Sequence, residues 1–286
     1  MYNLIFNPVA GKQKTFKNLE IVKHILDERK IEYAVYKLGG IHDAEYIARD
    51  LTTKGETDLI VLGGDGTLNE VLNGIEDPSK CNLGLIPSGT GNDFATRMGI
   101  PHDAEKAILR IIEGEAKPID YIDVSGTRSM NVAGLGIDVD VLERCQRGKM
   151  KGKLKYLISL IQSLFTFKGY NVHIEAEGVS EDRKVLICAV CNGAQFGGGI
   201  KICPTADPAD GKLDVVTVDF INGKLAIVKA FLELMKGRIL EYPLTKHYQV
   251  DKVTFIPEME CPIQLDGELY QHHAFEATLK KGLKFY

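Results

Sequence analysis

The sequence predicts an N-terminal α/β domain with a parallel sheet, followed by a C-terminal, mainly β domain built as an antiparallel sandwich. Three observations carry this prediction. The chain has 286 residues, enough for two hydrophobic cores. Its first third alternates short apolar runs with amphipathic helical patterns, which indicates βα units. After residue 114, strand-like runs are joined by turn-rich loops, which suits an antiparallel sheet. We expect domains at 1–124 and 125–286, with the last strand able to return to the first domain.

The first domain should consist of repeated strand–helix units. Strands are predicted at 2–6, 31–38, 59–62 and 83–87, and helices at 15–30, 43–54, from Leu68 onward and at 103–113. In such sheets ligands bind beyond the carboxyl ends of the strands. The loops at 7–12, 63–67 and 88–93 each follow a strand, so we expect them to converge at one edge.

The second domain should contain more strands than helices. Strands are predicted at 119–124, 129–133, 171–176, 185–190, 213–219, 250–256 and 275–279, and helices at 138–147, 154–167 and 225–236.

Bulk composition excludes some classes of protein. The net charge of −4 and the pI near 6.0 give no support for binding nucleic acid. The six cysteines suit a reduced, cytoplasmic protein, and the first residues form a strand pattern and no signal peptide. Cys188 and Cys191 have CxxC spacing, but they lie in an apolar run, which favours core packing over metal or redox chemistry.

The most informative loop is GGDGT at 63–67, between a predicted strand and a predicted helix. Glycines there let the backbone approach a ligand, and the N–H groups of a helix start attract an anion. Asp65 lies inside this turn, where phosphates would repel it unless a metal or a polar network holds it. The loops at 7–12 and 88–93 are weak signals alone. Together the three loops predict a nucleotide-phosphate site.

These loops resemble the catalytic motifs of the diacylglycerol kinase-like lipid kinases. The resemblance is carried by NPVAG at 7–11, GGDGTLNE at 63–70 and PSGTGNDF at 87–94. It continues through the segments 131–138, 192–199, 204–214 and 265–268, in order along the chain. It implies an α/β nucleotide-binding domain and a β-sandwich domain, similar to NAD kinases.

The resemblance implies transfer of the γ-phosphoryl of ATP to a lipid hydroxyl, with diacylglycerol as the favoured acceptor and Mg²⁺ required. It assigns Asp65 to holding or orienting Mg²⁺–ATP. It implies that ATP contacts Asn7, Pro8, Val9, Ala10, Gly11, Lys12, Gly64, Gly66, Thr67, Leu68, Asn69, Glu70 and Thr90.

Asp266 and Glu268 flank a glycine in a tight turn. The turn alone is an ordinary hairpin signal. The resemblance assigns one carboxylate here as the general base; we take Glu268 as the base and Asp266 as its partner, without the sequence deciding between them. Strand alternation suggests that both side chains point to the same side.

The segment 207–212 resembles the family's second, structural Mg²⁺ site. The resemblance implies one carboxylate ligand, Asp210, and main-chain carbonyl ligands at Asp207 and Lys212. Hard oxygen ligands in a glycine turn suit Mg²⁺. One position departs from the family: Leu38 stands where a threonine is frequent, which leaves backbone contacts from Gly39 or Gly40 to the nucleotide as the alternative.

A basic segment precedes an apolar stretch too short to span a bilayer, at 156–167. Its cations are Arg144, Arg147, Lys149, Lys151, Lys153 and Lys155. The pattern fits peripheral contact with the inner face of a membrane that supplies the lipid, and it equally fits a solvated charge run before a core helix.

Two other functions stay open at this point. NAD kinases and phosphofructokinases also use GGDGT, although the fused Asn69-Glu70 and the loop at 88–94 favour a lipid kinase. A lipid-binding homologue without catalysis is the second alternative. The acceptor could also be phosphatidylglycerol, a sphingoid base or a polyprenol, and a homodimer is an open expectation.

Overall fold

The computed structural model describes residues 1–11, 14–147, 153–272 and 275–286. The chain divides into two compact units. The first unit comprises 1–121, 208–211 and 280–286, and the second comprises 122–207 and 212–279. Lys12, Lys149 and Lys151 lie outside the described residues.

The first unit is an α/β layer structure with a parallel sheet. Its elements are β1 (Tyr2–Phe6), α1 (Lys14–Glu28), β2 (Tyr33–Lys37), α2 (Asp43–Thr53), β3 (Asp58–Gly63), α3 (Asp65–Gly74), β4 (Asn82–Pro87), α4 (Asp93–Arg97) and α5 (Ala104–Glu113). The strands run in the order β2-β1-β3-β4, all parallel. β3 and β4 are buried along almost their whole length, as expected for strands covered on both faces.

The second unit is a mainly antiparallel β-sandwich that also contains helices. Its elements begin with β5 (Lys117–Val124), which starts in the first unit, and continue with β6 (Thr127–Ser129), β7 (Val132–Gly136), α6 (Ile137–Arg147), α7 (Lys153–Thr166), β8 (Tyr170–Ala176), β9 (Val179–Cys191), β10 (Leu213–Asp219), α8 (Lys224–Met235), β11 (Thr245–Val250), β12 (Lys252–Pro257), β13 (Cys261–Leu265), β14 (Glu268–His272) and β15 (Phe275–Phe285). The α/β plus antiparallel sandwich architecture that the sequence predicts is confirmed.

Two hydrophobic cores lie on the two faces of β9. Cys188 and Val190 belong to a core made of strand residues. Ile187, Ala189 and Cys191 face the other core, to which the helices α6, α7 and α8 contribute. Because both faces of this strand are buried, its residues read as a continuous apolar run. Cys188 and Cys191 are both fully buried, which confirms that the CxxC pair packs in the core.

The six cysteines are all free thiols. Burial raises the pKa of Cys188 and of Cys191 well above the ordinary thiol value. Cys203 differs: its sulfur accepts a hydrogen bond from Cys191, which outweighs burial and lowers the pKa of its thiol to about 7. The two thiols therefore act as donor and acceptor in one buried pair.

The structure corrects several predicted boundaries. The predicted strand at 250–256 corresponds to β12, and its first residue, Val250, instead ends β11, because the chain turns at Asp251. β11 was missed because its mostly exposed residues show no apolar alternation. The predicted strand at 129–133 is likewise divided between β6 and β7, and β15 extends to Phe285. In β15, residues 275–278 pair with β12, whereas Lys284 and Phe285 pair with β4 of the first unit.

The short helix α4 was also not predicted from the sequence. Five residues are too few for a helical hydrophobic period, and the group that caps this helix lies far away in the chain. Within the described part of the chain, no helix is long and apolar enough to cross a membrane.

Helices α2 and α3 pack with almost no space at Gly74. A Cβ built on Gly74 would lie 2.1 Å from the carbonyl oxygen of Glu45 and 2.9 Å from the Cβ of Ala48. Gly66, on the same helix, has open space around its Cα. The packing of α3 therefore requires a residue without a Cβ at position 74, whereas position 66 has room for one.

We expect Gly74→Ala to lower stability by about 1–3 kcal/mol, because the added methyl overpacks the backbone of α2. Gly66→Ala makes the same chemical change on the same helix, and its higher helix propensity should leave stability unchanged or raise it by up to about 1 kcal/mol. Thermal unfolding followed by circular dichroism measures both. Equal melting temperatures for the two variants would contradict the close packing at Gly74.

Candidate active site

Three loops of the first unit meet at the carboxyl ends of β1, β3 and β4. A Cβ on Gly64 would lie 2.9 Å from the Cα of Gly89, and a Cβ on Gly11 would lie 1.9 Å from the carbonyl oxygen of Ser88. Asn7 Nδ2 donates a 2.8 Å hydrogen bond to Thr67 Oγ1. The predicted convergence of the loops is confirmed, and it requires glycine at the points of closest approach.

The first loop is held in one shape by its own polar groups. Asn7 Oδ1 accepts a hydrogen bond from the N–H of Val9 at 3.1 Å, and the hydroxyl of Thr15 donates to the carbonyl of Ala10. Pro8 is half-buried, whereas the Val9 side chain is 83% exposed. Gly11 has φ +57°, which the absence of a Cβ permits.

The second loop opens α3, and its residues differ in what they offer a ligand. Gly66 is exposed with open space around it. Thr67 is buried against Asn7. The Leu68 side chain is in the core, and its N–H donates to Gly64 within the helix. Asn69 is buried, and its side-chain oxygen accepts a hydrogen bond from Asn73 at 3.2 Å.

Position in the helix decides which amides can face an anion. The first-turn N–H groups of a helix have no carbonyl partner within the helix, and they carry the positive end of its dipole. In α3 these belong to residues 65–67, whereas Leu68 already closes the first helical hydrogen bond. Leu68 and Asn69 therefore support the loop from the core side. Glu70 is half-buried one position further along.

Asp65 holds the third loop. Its carboxylate accepts hydrogen bonds from the N–H groups of Asp93 and Phe94, each at 3.1 Å, at the start of α4. Before them, Asn92 has φ +53° and its side chain bonds both the N–H and the carbonyl of Gly89, at 2.9 and 3.0 Å. The polar network that the sequence requires around Asp65 is thus provided by backbone. Thr90 is exposed at the tip of this loop.

The N–H groups of Gly39 and Gly40 have a partner within the protein. Both N–H groups donate to the carboxylate of Asp43, at 2.7 and 2.8 Å, before the first turn of α2. The N–H of Leu38 donates to the carbonyl of Phe6. A carboxylate at the helix start therefore already accepts from both N–H groups, and contact of these glycines with the nucleotide stays a prediction.

In the second unit, Asp266 and Gly267 form the two-residue turn between β13 and β14. Both have positive φ, +49° and +91°, as a type I′ hairpin turn requires. The Asp266 carboxylate accepts four hydrogen bonds, from the Ser129 hydroxyl and from the N–H groups of Met130, Asn131 and Val132, at 2.6–3.0 Å.

Glu268 has a different environment. It is exposed at the first position of β14, opposite Leu265. Strand alternation does not extend through the turn, because residues 266 and 267 are not in extended conformation, so the expectation of a shared direction does not apply. The Asp266 carboxylate is therefore engaged with backbone N–H groups and a hydroxyl, whereas the Glu268 side chain is exposed.

The loop at 207–212 is anchored through Asp120. The N–H of Asp120 donates to the carbonyl of Pro208 at 2.6 Å, and the N–H of Gly211 donates to the Asp120 carboxylate at 2.8 Å. Gly211 has φ +78°. Asp210 is exposed beside this turn, and Asp207 and Lys212 flank it in sequence. The Lys212 ammonium pairs with Asp251 at 2.9 Å, so only its carbonyl would serve as a ligand. A carboxylate and two carbonyls are hard oxygen donors, which fit Mg²⁺.

The second unit also contains a largely apolar pocket of about 50 Å³ with one carboxylate in its wall. Leu160 and Leu164 of α7 and Phe231 of α8 line it, and the carboxylate is Asp138 at the start of α6. Burial raises the pKa of Asp138 to about 6, opposed in part by the N–H of Val139 and the amide of Gln264. Asp138 lies in the motif segment 131–138 of the sequence, but only the structure shows that its carboxylate is in the wall of an apolar pocket.

Helices α7 and α8 carry apolar side chains on their outer surfaces as well. On α7 these are Ile158, Ile161 and Phe165, and on α8 they are Leu225, Val228, Leu232 and Met235. Both helices also line the apolar pocket. The sequence analysis identified α7 as apolar and missed the exposed face of α8. Arg144, of the basic segment, pairs with Asp140 at 2.7 Å and donates to Thr166.

We expect Asp138→Asn to stabilise the protein above neutral pH. The folded-state pKa lies above the ordinary value of 3.8, so the stabilising contribution of the carboxyl is lost as pH rises through about 6. Asparagine stays neutral and should raise stability by about 2–3 kcal/mol at pH 7.5, and by less at pH 5. Asp140→Asn, on the same helix, removes an ion pair and should give no such gain. A destabilised Asp138→Asn protein at pH 7.5 would contradict the burial argument.

Comparison with known proteins agrees with this geometry. Residues 1–124 match the diacylglycerol kinase catalytic domain, and residues 131–280 match the YegS C-terminal NAD kinase β-sandwich-like domain. The chain is 32% identical over 272 residues to a diacylglycerol kinase of Bacillus subtilis, covering 93% of this chain and 88% of the relative.

Two further relatives extend the comparison. A probable lipid kinase YegS-like protein of Xanthomonas campestris is 33% identical over 236 residues, covering 79% of this chain and 75% of the relative. The crystal structure of a diacylglycerol kinase from Bacillus anthracis superimposes with a TM-score of 0.80 at 26% identity, covering 99% of this chain and 96% of that chain. The chain therefore belongs to the diacylglycerol kinase family and is a lipid kinase.

Proposed function

We propose that this lipid kinase transfers the γ-phosphoryl of ATP to the hydroxyl of diacylglycerol, in a reaction that requires Mg²⁺. The observation that carries the acceptor class is the apolar pocket with a single buried carboxylate. The apolar character of its walls suits the acyl chains of a lipid, and the Asp138 carboxylate could accept a hydrogen bond from a hydroxyl. NAD, the acceptor of the rival kinase class, carries two phosphates that Asp138 would repel. The names of several relatives support diacylglycerol in particular.

The ATP phosphates would bind at the edge where the three loops of the first unit meet. The first-turn amides of α3 and the open space at Gly66 suit phosphate oxygens. Thr90, at the exposed tip of the third loop, adds a hydroxyl. Asn7 and Gly11 would contribute mainly by shaping the first loop, and Lys12 would neutralise charge. Mg²⁺ bound with ATP supplies charge neutralisation for phosphoryl transfer.

Asp65 would position the nucleotide indirectly as well as directly. It fixes the first turn of α4 and hence the third loop. We propose that it also orients the Mg²⁺ that accompanies ATP. A second Mg²⁺ at 207–212, held by Asp210 and the carbonyls of Asp207 and Lys212, would stabilise the loop that Asp120 anchors.

Glu268 would act as the general base. An exposed carboxylate can accept the proton of the acceptor hydroxyl as the phosphoryl group arrives. Asp266 would hold the β6–β7 connection and the hairpin turn in place, since its carboxylate satisfies three consecutive backbone N–H groups. The two acidic residues of this motif thus divide into a chemical role and a positioning role.

Contact with a membrane would bring the kinase to its substrate. The exposed apolar faces of α7 and α8 lie on the helices that line the acceptor pocket, so insertion at a bilayer surface would place the pocket near acyl chains. Cations of the segment 144–155 would add attraction to anionic lipids. Dimerisation remains a separate prediction, measurable by sedimentation.

We expect label from γ-labelled ATP to appear on diacylglycerol in mixed micelles with Mg²⁺, in a panel that includes phosphatidylglycerol, a sphingoid base, a polyprenol and NAD. Glu268→Gln should lower kcat by about 10²–10⁴-fold, because the base is lost while the fold is not. Label on NAD alone would refute the proposal. Label on another lipid alone would refute diacylglycerol as the acceptor.

The paired control is Asp266→Asn, which keeps the side-chain size and tolerates positive φ. It replaces an acceptor of four hydrogen bonds by a group with one acceptor oxygen. It should lower the melting temperature, with a stability loss of about 1–3 kcal/mol, whereas Glu268→Gln should leave the melting temperature unchanged. If Asp266→Asn lost activity but kept its stability, Asp266 would be the general base and Glu268 would not.

We expect the double substitution Leu232→Gln and Met235→Gln on α8 to weaken binding to vesicles of phosphatidylglycerol and phosphatidylcholine by at least about tenfold, because two apolar side chains lose their burial in lipid. The matched control is Ile256→Gln with Met259→Gln, which removes two exposed apolar side chains elsewhere in the second unit. Co-sedimentation measures both. Equal binding by the two double variants would refute α8 as the membrane face.

A further inference from the structure

Three side chains able to bind metal meet in the second unit, and none of them is assigned above to the nucleotide, the acceptor or Mg²⁺. Cys203, Asp214 and His247 each direct a ligand atom to one place, and these atoms all lie within 4.8 Å of one another. They come from three distant segments: the connection after β9, the start of β10, and β11.

Strand register explains two of the three positions. In the antiparallel pair of β10 and β11, Asp214 lies opposite Gln249 and His247 lies opposite Val216. Asp214 and Val216 are two residues apart, so Asp214 and His247 stand on the same face as diagonal neighbours. Cys203 is placed over this face by main-chain hydrogen bonds, from its N–H to Ala194 and from Ala206 to its carbonyl, each 3.1 Å long.

The environment of the Asp214 carboxylate points to a ligand. The residue is fully buried. Its Oδ1 bonds His247 Nε2 at 2.5 Å, but its Oδ2 has no hydrogen-bond partner among the described residues. A buried carboxylate oxygen without a donor or a cation is unfavourable and rare in folded proteins. His247 has 29% of its side chain exposed, which leaves a route from solvent to the cluster.

The distances suit a tetrahedral ion after a small adjustment. Cys203 Sγ lies 3.9 Å from His247 Nε2. Zinc bonded to sulfur and nitrogen at ordinary lengths would separate these atoms by about 3.5 Å. The Asp214–His247 hydrogen bond is shorter than the roughly 3.3 Å between two ligands of one zinc ion, so the carboxylate would turn and use its unpartnered oxygen.

We propose that Cys203, Asp214 and His247 form a zinc site. A thiolate, an imidazole and a carboxylate together are a donor set for Zn²⁺, whereas Mg²⁺ prefers oxygen ligands alone. Binding replaces the S–H proton of Cys203 by a bond to the metal, and that proton passes to solvent. His247 would bind through Nε2 as a neutral imidazole, with its ring proton on Nδ1. Water fills the fourth position, or Cys191, which lies opposite Asp214 on β9.

The site would act on structure and not on phosphoryl transfer. One ion would join the connection after β9 to both β10 and β11, over the core that lies under the helices. That connection includes the glycine-rich segment 197–199, where all three residues have positive φ. Zinc would therefore fix a loop whose local sequence leaves it many conformations.

The test uses the full chain, stripped of metal and titrated with Zn²⁺ alone against a competing chelator. We expect one zinc ion per chain and a higher melting temperature that a chelator reverses. With Co²⁺ in place of zinc, a thiolate charge-transfer band and intense visible bands should report a tetrahedral site containing sulfur. Absence of stoichiometric binding or of the thiolate band in the unsubstituted protein would overturn the proposal, whatever the variants do.

Variants then assign the ligands. Cys203→Ser and His247→Gln should each lower zinc affinity by at least about 100-fold. Cys145→Ser removes a cysteine away from the cluster. His173→Gln removes a histidine that pairs with Asp182 at 2.7 Å with no sulfur among its polar contacts. Both controls should bind zinc like the unsubstituted protein. Unchanged affinity in Cys203→Ser, or equal losses in the controls, would place the metal elsewhere and refute the assignment.

Discussion

The close approach of two glycine backbones, Gly64 and Gly89, is the constraint on which the meeting of the loops in the first unit depends. Any side chain on either residue would overlap the other's Cα, so the second and third loops can meet only because both residues lack a Cβ. The contact brings the start of α3 beside the loop that leads into α4, and Asp65 then bonds two amides of α4 across it. The first-turn amides of α3 are thereby held in place, and under the proposed function this would reduce the entropy lost when a phosphate binds.

Carboxylates that hold backbone N–H groups recur in both units. Asp65 does this for α4 and Asp266 for the β6–β7 connection, and each joins segments that are distant in sequence. Such a carboxylate is already committed as an acceptor, so it serves position better than proton transfer. Glu268 is exposed on β14 and Asp138 is buried in an apolar wall, and under the proposed function they serve proton transfer and acceptor recognition. The roles proposed for these acidic residues thus differ according to what their oxygens already accept.

The prediction from sequence was accurate where local pattern and loop chemistry agree. The strands β3 and β4 were found because burial on both faces makes them continuous apolar runs, and the Asp-Gly turn between β13 and β14 was found from turn chemistry. It was wrong where an element is short or exposed: α4 has too few residues for a period, and β11 alternates no apolar side chains. Leu68 and Asn69 share a motif with Gly66, yet their side chains belong to the core and the helix.

The sequence by itself determined the fold class, the family and the convergence of the three loops, because glycines and strand periods are local signals that survive without tertiary contacts. Only the tertiary structure showed that Asp266 bonds backbone N–H groups while Glu268 is exposed, paired the amides of Gly39 and Gly40 with Asp43, and brought Cys203, Asp214 and His247 together. Each of these depends on which hydrogen-bond partners reach a side chain from distant segments. That information is absent from spacing along the chain, since strand register and loop placement create it.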